Sequence, residues 1–223
     1  MSFTNFKDIA KSKNQVITIQ HVPSGKRVSF PAFLTGFSDS YSVAWGNEQI
    51  FGRQDPIKPY QSTTRTISIA FDVLAHDEAS AKENLSNYSL LIKMLYPSYS
   101  DPLSGSPTSL GRTIKAPPIM RMKFVNMIQS PSGGKSLLGC IDGVEFSPSA
   151  DAGYFYSTKG DLYPKQYNVS LKFTPQHEEV LGWGPDGSFL QGSFPYSAPS
   201  QGSTSEAGSG GMTQARNSSL LKK

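Results

Sequence analysis

Phe51-Gly-Arg-Gln-Asp-Pro-Ile-Lys-Pro-Tyr-Gln-Ser-Thr-Thr-Arg-Thr-Ile-Ser-Ile-Ala-Phe71 is the stretch on which the fold turns. Its second half is a β-strand. Ile67, Ile69, Phe71 and Val73 fall on one side and Thr66, Ser68, Ala70 and Asp72 on the other, the two-residue period of a half-buried strand. Its first half, Gly52 to Tyr60, carries a glycine and two prolines, which cannot occupy a central strand. That half is a long loop bearing charge (Arg53, Asp55, Lys58) that delivers the chain into the strand at Arg65. Loops of this length within a domain are functional or disordered. Aromatic residues at both ends, Phe51 and Tyr60, favour an ordered one.

Upstream, the pattern is also β. Ile17 and Ile19 mark a strand at 15–21, Pro23-Ser-Gly25 a turn, and Lys26 to Leu34 a returning strand interrupted by Pro31. Phe37, Tyr41, Val43 and Trp45 then alternate with Ser38, Ser40, Ser42 and Ala44. Asp39 breaks the apolar side, which points to an edge or a barrel rim. Downstream of the quoted stretch comes the one helix, at about 77–96. Asp77 and Glu78 open it, where acidic residues suit the positive end of the helix dipole. Ala81, Leu85, Tyr88, Leu91, Ile92 and Leu95 form its apolar stripe, and Pro97 ends it.

A Ser/Pro/Gly-rich loop at 98–117 leads to a strand over Ile119–Ile128, with Met120, Met122 and Phe124 inward and Arg121 and Lys123 outward. After the turn Ser130-Pro-Ser-Gly-Gly134, Leu137 to Ser147 pairs back. Leu138, Cys140, Val144 and Phe146 are expected on one face, with Gly143 at a bulge. A third loop, 148–164, precedes a closing strand in which Tyr167, Val169, Leu171 and Phe173 alternate with Asn168, Ser170 and Lys172. Ser62 to Phe71, followed by His76-Asp-Glu78, echoes Pro164 to Phe173, followed by His177-Glu-Glu179. The echo suggests two hairpin-based halves. The organisation expected is an N-terminal arm at 1–14, a β domain at 15–184 and a Gly/Ser-rich tail at 185–223 that cannot bury enough apolar surface to fold alone.

Composition limits the function classes. The 223 residues suit one large β domain with a tail. A net charge of +4 is mild and its cations are scattered, with only Arg121-Met-Lys123 and Lys222-Lys223 close together, so a dedicated nucleic-acid module is disfavoured. A single cysteine, Cys140, excludes an intramolecular disulfide and fits a reducing compartment. The N-terminus lacks the apolar core of a signal peptide. No apolar run approaches the roughly 18 residues needed to span a bilayer, so no membrane association is expected.

The chemistry-bearing motifs are sparse. Ser130-Pro-Ser-Gly-Gly-Lys-Ser136 contains the Gly-Lys-Ser of a phosphate-binding loop. The required first glycine is replaced by Gln129, and the segment joins two strands rather than a strand and a helix, so it is a hairpin turn. His21, His76 and His177 are the 3 histidines, and the neighbours of the last two, Asp77-Glu78 and Glu178-Glu179, offer donors. Sequential donors diverge, so no metal site is expected. Cys140 has no acid–base partner near it and is a structural thiol. No Gly-x-Ser-x-Gly elbow or paired carboxylates appear. The chain is not expected to be an enzyme, and no cofactor is expected. Arg53, Asp55 and Arg65 have two readings: solvated loop charges of little individual weight, or bidentate Arg–carboxylate ties to a neighbour. The residues alone favour the first.

Taken together, Phe51-Gly-Arg-Gln-Asp-Pro-Ile, Tyr60, Thr64-Arg-Thr-Ile-Ser-Ile, the Ala81–Leu95 helix and Tyr96-Pro97 resemble the tube-like baseplate proteins of contractile-tailed bacteriophages. That group is related to tail tube proteins, tube initiators and LysM-bearing adaptors. Ala116-Pro-Pro-Ile-Met-Arg-Met-Lys-Phe124 is similar to the group's Pro-Pro-x-Val-x-Phe strand, and Leu138-Gly-Cys-Ile-Asp-Gly-Val-Glu-Phe146 to its Leu-x-Gly-Val-Val strand. Leu162-Tyr-Pro and Val169-Ser-Leu-Lys-Phe173 resemble its closing strand. The resemblance covers roughly residues 30–184 and lies in the order of the motifs. The Gly/Ser-rich tail departs from it, standing where the adaptors carry their glycan-binding module.

The resemblance implies a mainly β, tail-tube-like β-sandwich or half-barrel of two hairpin-rich halves with one flanking α-helix and long extended loops. It implies a hexameric ring of identical copies that connects the tail tube to the central hub and continues the DNA channel. The partners would be tail tube and baseplate hub proteins, and the location the virion, after synthesis in the host bacterial cytoplasm. It favours the second reading of the loop charges and places Phe51, Arg53, Asp55, Pro56, Tyr60 and Arg65 at contacts between subunits. The alternative function is a carbohydrate- or ligand-binding β-sandwich with Trp45, Tyr60 and Tyr154 as stacking residues.

Overall fold

A computed structural model describes residues 15–31, 33–99, 114–157, 160–190 and 194–196. The N-terminal arm, the centre of the 98–117 loop and most of the C-terminal tail lie outside the described residues. The described residues are mainly β with one helix. Its centre is a seven-stranded antiparallel sheet in the order β2-β1-β7-β8-β11-β4-β3. Its strands are β1 (Val16–His21), β2 (Arg27–Pro31), β3 (Phe33–Trp45), β4 (Tyr60–Leu74), β7 (Met120–Lys123), β8 (Leu137–Pro148) and β11 (Gln166–Pro175). Two short hairpins flank it: β5 (Ser98–Tyr99) with β6 (Ile114–Ala116), and β9 (Tyr154–Tyr156) with β10 (Leu162–Pro164). The sheet is open, with β2 and β3 at its edges.

The two-residue period explains which face is covered. Ile67, Ile69, Phe71 and Val73 of β4 are at most 2% exposed, as are Tyr167, Val169 and Phe173 of β11, with Leu171 at 4%. Ile17, Ile19, Val28, Phe30, Met120 and Met122 extend the same core across β1, β2 and β7. Each of the larger side chains contributes about 1.5–3 kcal/mol by leaving water. The helix α1 (Glu78–Met94) packs on this core through Leu91 and Met94, along β2 and the β9–β10 hairpin. Asp77 caps its N-terminus, its carboxylate accepting from Ser80 N at 2.6 Å. The buried polar Asn84 ties it to the sheet: its side-chain amide donates to Leu74 O, and its backbone carbonyl accepts from the Tyr167 hydroxyl at 3.0 Å.

Three details differ from the sequence expectation. Leu137 and Gly139 of β8 are buried, whereas Leu138 and Cys140 take the outer, partly exposed side. The register shift opposite Lys172 and Phe173, where Gly143 and Ile141 face them, resets the alternation, so that Val144 and Phe146 do face the core. The expected 119–128 strand is shorter: after Lys123 the chain turns, with Val125 at φ 46°. The two sequence halves are also interleaved, since β4 and β11, the echoed strands, are adjacent partners in one sheet.

Candidate functional site

The hairpin β3–β4 is longer than the core beneath it. Phe37 pairs with Ile69 and Asp39 with Ile67 above the core, then Tyr41 with Arg65 and Val43 with Thr63 continue outward to Trp45 opposite Tyr60. Directly opposed residues share a face. One face of the outer arm therefore carries Tyr41, Val43, Trp45 and Tyr60, which are 41%, 47%, 57% and 58% exposed. The other face carries Ser38, Ser40, Ser42 and Ala44 against Ser68, Thr66, Thr64 and Ser62. The loop that closes the arm is ordered by a Glu48–Ile57 bridge and by Gly46 N donating to Pro59 O at 2.8 Å. A side chain at Gly46 would meet the Pro59 ring at 2.9 Å, so glycine is needed for that close approach. Ile50, Phe51 and Ile57 lie exposed at the tip.

At the root of the arm stands an ion pair. Arg65 Nη2 lies 2.6 Å from Asp39 Oδ2 and Nε 2.9 Å from Oδ1, a fork-shaped contact whose side chains are 2% and 3% exposed. The hydroxyls of Tyr41 and Tyr196 also donate to Asp39 Oδ2, at 3.1 and 2.9 Å. Burial alone raises the Asp39 pKa, but the hydrogen bonds from Arg65 and Tyr196 and the guanidinium charge outweigh it and hold the carboxyl below its usual range. Burial pushes the Tyr41 hydroxyl well up. Phe194 lies 5.4 Å from the guanidinium and edge-on to both Tyr41 and His177. Burial, followed by the charge of Arg65, lowers the pKa of His177.

Five of the six residues expected at subunit contacts lie together at the tip of this arm. Phe51 is fully exposed in the turn, Arg53 and Asp55 are exposed with no ion pair among the described residues, Pro56 is half-buried, and Tyr60 opens β4. Arg65 is set apart, since its carboxylate partner is Asp39 of the same chain. Asp39 was not among the expected residues. Its signal was present: Arg65 continues the odd-numbered apolar face of β4, and Asp39 breaks the odd-numbered face of the preceding strand. Of the three stacking candidates, Trp45 and Tyr60 meet edge-to-face at 5.6 Å and 78°, while Tyr154 belongs to the separate β9–β10 hairpin. The rings of Trp45 and Tyr60 thus form no coplanar platform for a sugar.

The outer edge of β3 pairs with no strand among the described residues. An edge without a strand partner, here along residues 34–45 among the described residues, is a template for another chain. By contrast, β2 at the opposite edge is short, contains Pro31 and lies beside α1.

No protein-family model matches the chain, and no curated protein matches it. Among solved structures, the Dit protein of phage SPP1, described as a paradigm of the hub adsorption apparatus in phages that infect Gram-positive bacteria, aligns at 13% identity and a TM-score of 0.36. That alignment covers 76% of this chain and 53% of Dit, so the chain spans about half the length of that protein. A chain from the tail of an empty GTA particle with C6 symmetry aligns at 11% identity and a TM-score of 0.31, covering 72% of this chain and 91% of that one. Neither likeness identifies the chain.

Proposed function

We propose that this chain is a structural subunit of a phage tail baseplate, forming a ring of identical copies that joins the tail tube to the hub and encloses a channel for DNA. The observation that carries the reading is the β3–β4 arm. It combines an edge strand that, along residues 34–45, has no strand partner on its outer side among the described residues with an apolar face exposed to water. The order of sequence motifs supplies the phage-tail assignment, and the arm supplies the means of assembly. Strand addition at the β3 edge and burial of Val43, Trp45, Phe51 and Tyr60 against a neighbouring copy remove both liabilities at once. Catalysis has no part in this reading; the chain acts by assembling.

The test compares wild type with a Trp45→Ala/Phe51→Ala/Tyr60→Ala variant by native mass spectrometry and thermal melting. Wild type is expected to give a closed ring of one copy number. The variant is expected to stay monomeric while melting within about 0.5 kcal/mol of wild-type stability, as exposed substitutions do. A wild type that remains monomeric at its highest soluble concentration, or a variant that assembles equally well, refutes the reading.

A further inference from the structure

At the end of the sheet farthest from the arm, the outer faces of β1, β2 and β7 form a polar concavity of about 320 Å³. Strand register explains its charge. Gln20 of β1 stands directly between Arg27 of β2 and Arg121 of β7, and Thr18 stands opposite Lys123 one step along. Three cations therefore share one patch of sheet, a placement that is unfavourable without an anion. The only carboxylate on them among the described residues is Glu178, 57 positions from Arg121 in sequence. It grips that guanidinium fork-to-fork, with Nη1–Oε2 at 2.8 Å and Nη2–Oε1 at 2.6 Å. Among the described residues, Arg27 reaches only the Gln20 amide oxygen at 3.1 Å, and Lys123 only the Gly134 carbonyl. Three cations against one carboxylate leave an excess of two positive charges in the concavity.

We propose that this groove binds a carboxylate-rich segment of a partner polypeptide, with Glu178 as an internal placeholder on Arg121. Two observations favour carboxylate over phosphate. A carboxylate already sits there in bidentate geometry. The Gly133–Gly134 turn at the rim, although it resembles part of a phosphate loop, uses its backbone N–H groups internally: Gly133 N donates to Ser130 O at 2.8 Å, Gly134 N to Gln129 Oε1 at 3.4 Å, and Lys135 N to Gly133 O at 2.9 Å. A phosphate nest needs those groups free. The N-terminal segment that leads into Val16 is not complementary, since Lys7, Lys11 and Lys13 outnumber Asp8. The site lies on the far side of the sheet from the arm and does not rest on the ring reading.

Calorimetric titration with a hexaglutamate peptide at low salt tests it, using wild type, an Arg27→Ala/Lys123→Ala variant and Glu178→Gln, with melting curves to confirm folding. Wild type is expected to bind, with affinity that falls as salt is raised. The double variant is expected to lose about tenfold or more, and Glu178→Gln to gain about threefold as Arg121 becomes available. Inorganic phosphate and a single-stranded oligonucleotide serve as competing probes. The proposal is overturned if the peptide gives no binding, if the double variant binds as wild type does, or if Glu178→Gln weakens binding. Phosphate or oligonucleotide binding as tight as the peptide's, with the same dependence on Arg27 and Lys123, also overturns it.

Discussion

Arg65 and Asp39 show how burial changes what a charged residue does. Exposed ion pairs contribute about 0–1 kcal/mol, but here both side chains are almost wholly enclosed. Removing one partner strands the other charge out of water, which costs about 3–5 kcal/mol. Arg65→Ala should therefore lower the urea midpoint of the monomer sharply, whereas Asp39→Leu/Arg65→Met should recover most of the loss. A single variant that unfolds like wild type would show that the pair is solvated. The histidines give a second residue-scale prediction. Burial lowers the pKa of both His21 and His177 in the folded chain. The unfolded chain then binds protons more readily, so their contribution to stability is complete above the ordinary value of 6.5 and is lost as pH falls below it. Urea midpoints should drop between about pH 7.5 and about pH 5.5, above the range where carboxylates dominate, and a His21→Asn/His177→Asn variant should flatten that drop.

Among the elements, β8 shows where sequence stops specifying structure. Its alternation is plain, but its phase changes at a bulge set by β11, a strand more than twenty residues later. Cys140 and Leu138 therefore lie on the side opposite to the one the alternation implies, while Val144 and Phe146, beyond the bulge, lie on the expected side. Strand positions and the helix were legible because periodicity and caps are local. The neighbour relations β1–β7 and β4–β11 were not, because pairing across a sheet depends on distant segments. The same limit hid Asn84, a polar residue outside the apolar stripe that anchors the helix to Leu74 and Tyr167. Of the arm, the loop tip was legible from its aromatic and charged residues, whereas the Asp39–Arg65 pair left only an indirect trace, two charges interrupting the same odd-numbered face of adjacent strands. Gly139 marks the tightest packing in β8. An added methyl group there would lie 2.7 Å from Phe173 Cζ and 2.9 Å from Pro175 Cα. Gly139→Ala is expected to destabilise the fold by about 1–3 kcal/mol, read from thermal or urea unfolding; an unchanged midpoint would mean that β8 and β11 can separate freely.

At the scale of the whole molecule, the open sheet has one guarded edge, β2, and one edge, β3, that no other strand among the described residues covers. The chain has 2 tryptophans, Trp45 on the arm and Trp183 beyond β11, 57% and 67% exposed. In a Trp183→Phe variant, fluorescence reports the arm alone. Its emission should shift to the blue with rising protein concentration as Trp45 leaves water, and a spectrum independent of concentration would exclude burial of the arm on association. The two unlike sides of that arm carry a further consequence. A blade that is oily on one side and hydroxylated on the other can be stacked only one way round, because an inverted copy would press its serines and threonines against oil and leave its aromatic rings wet. Any array built from it inherits a fixed inside and outside from the alternation of a single hairpin.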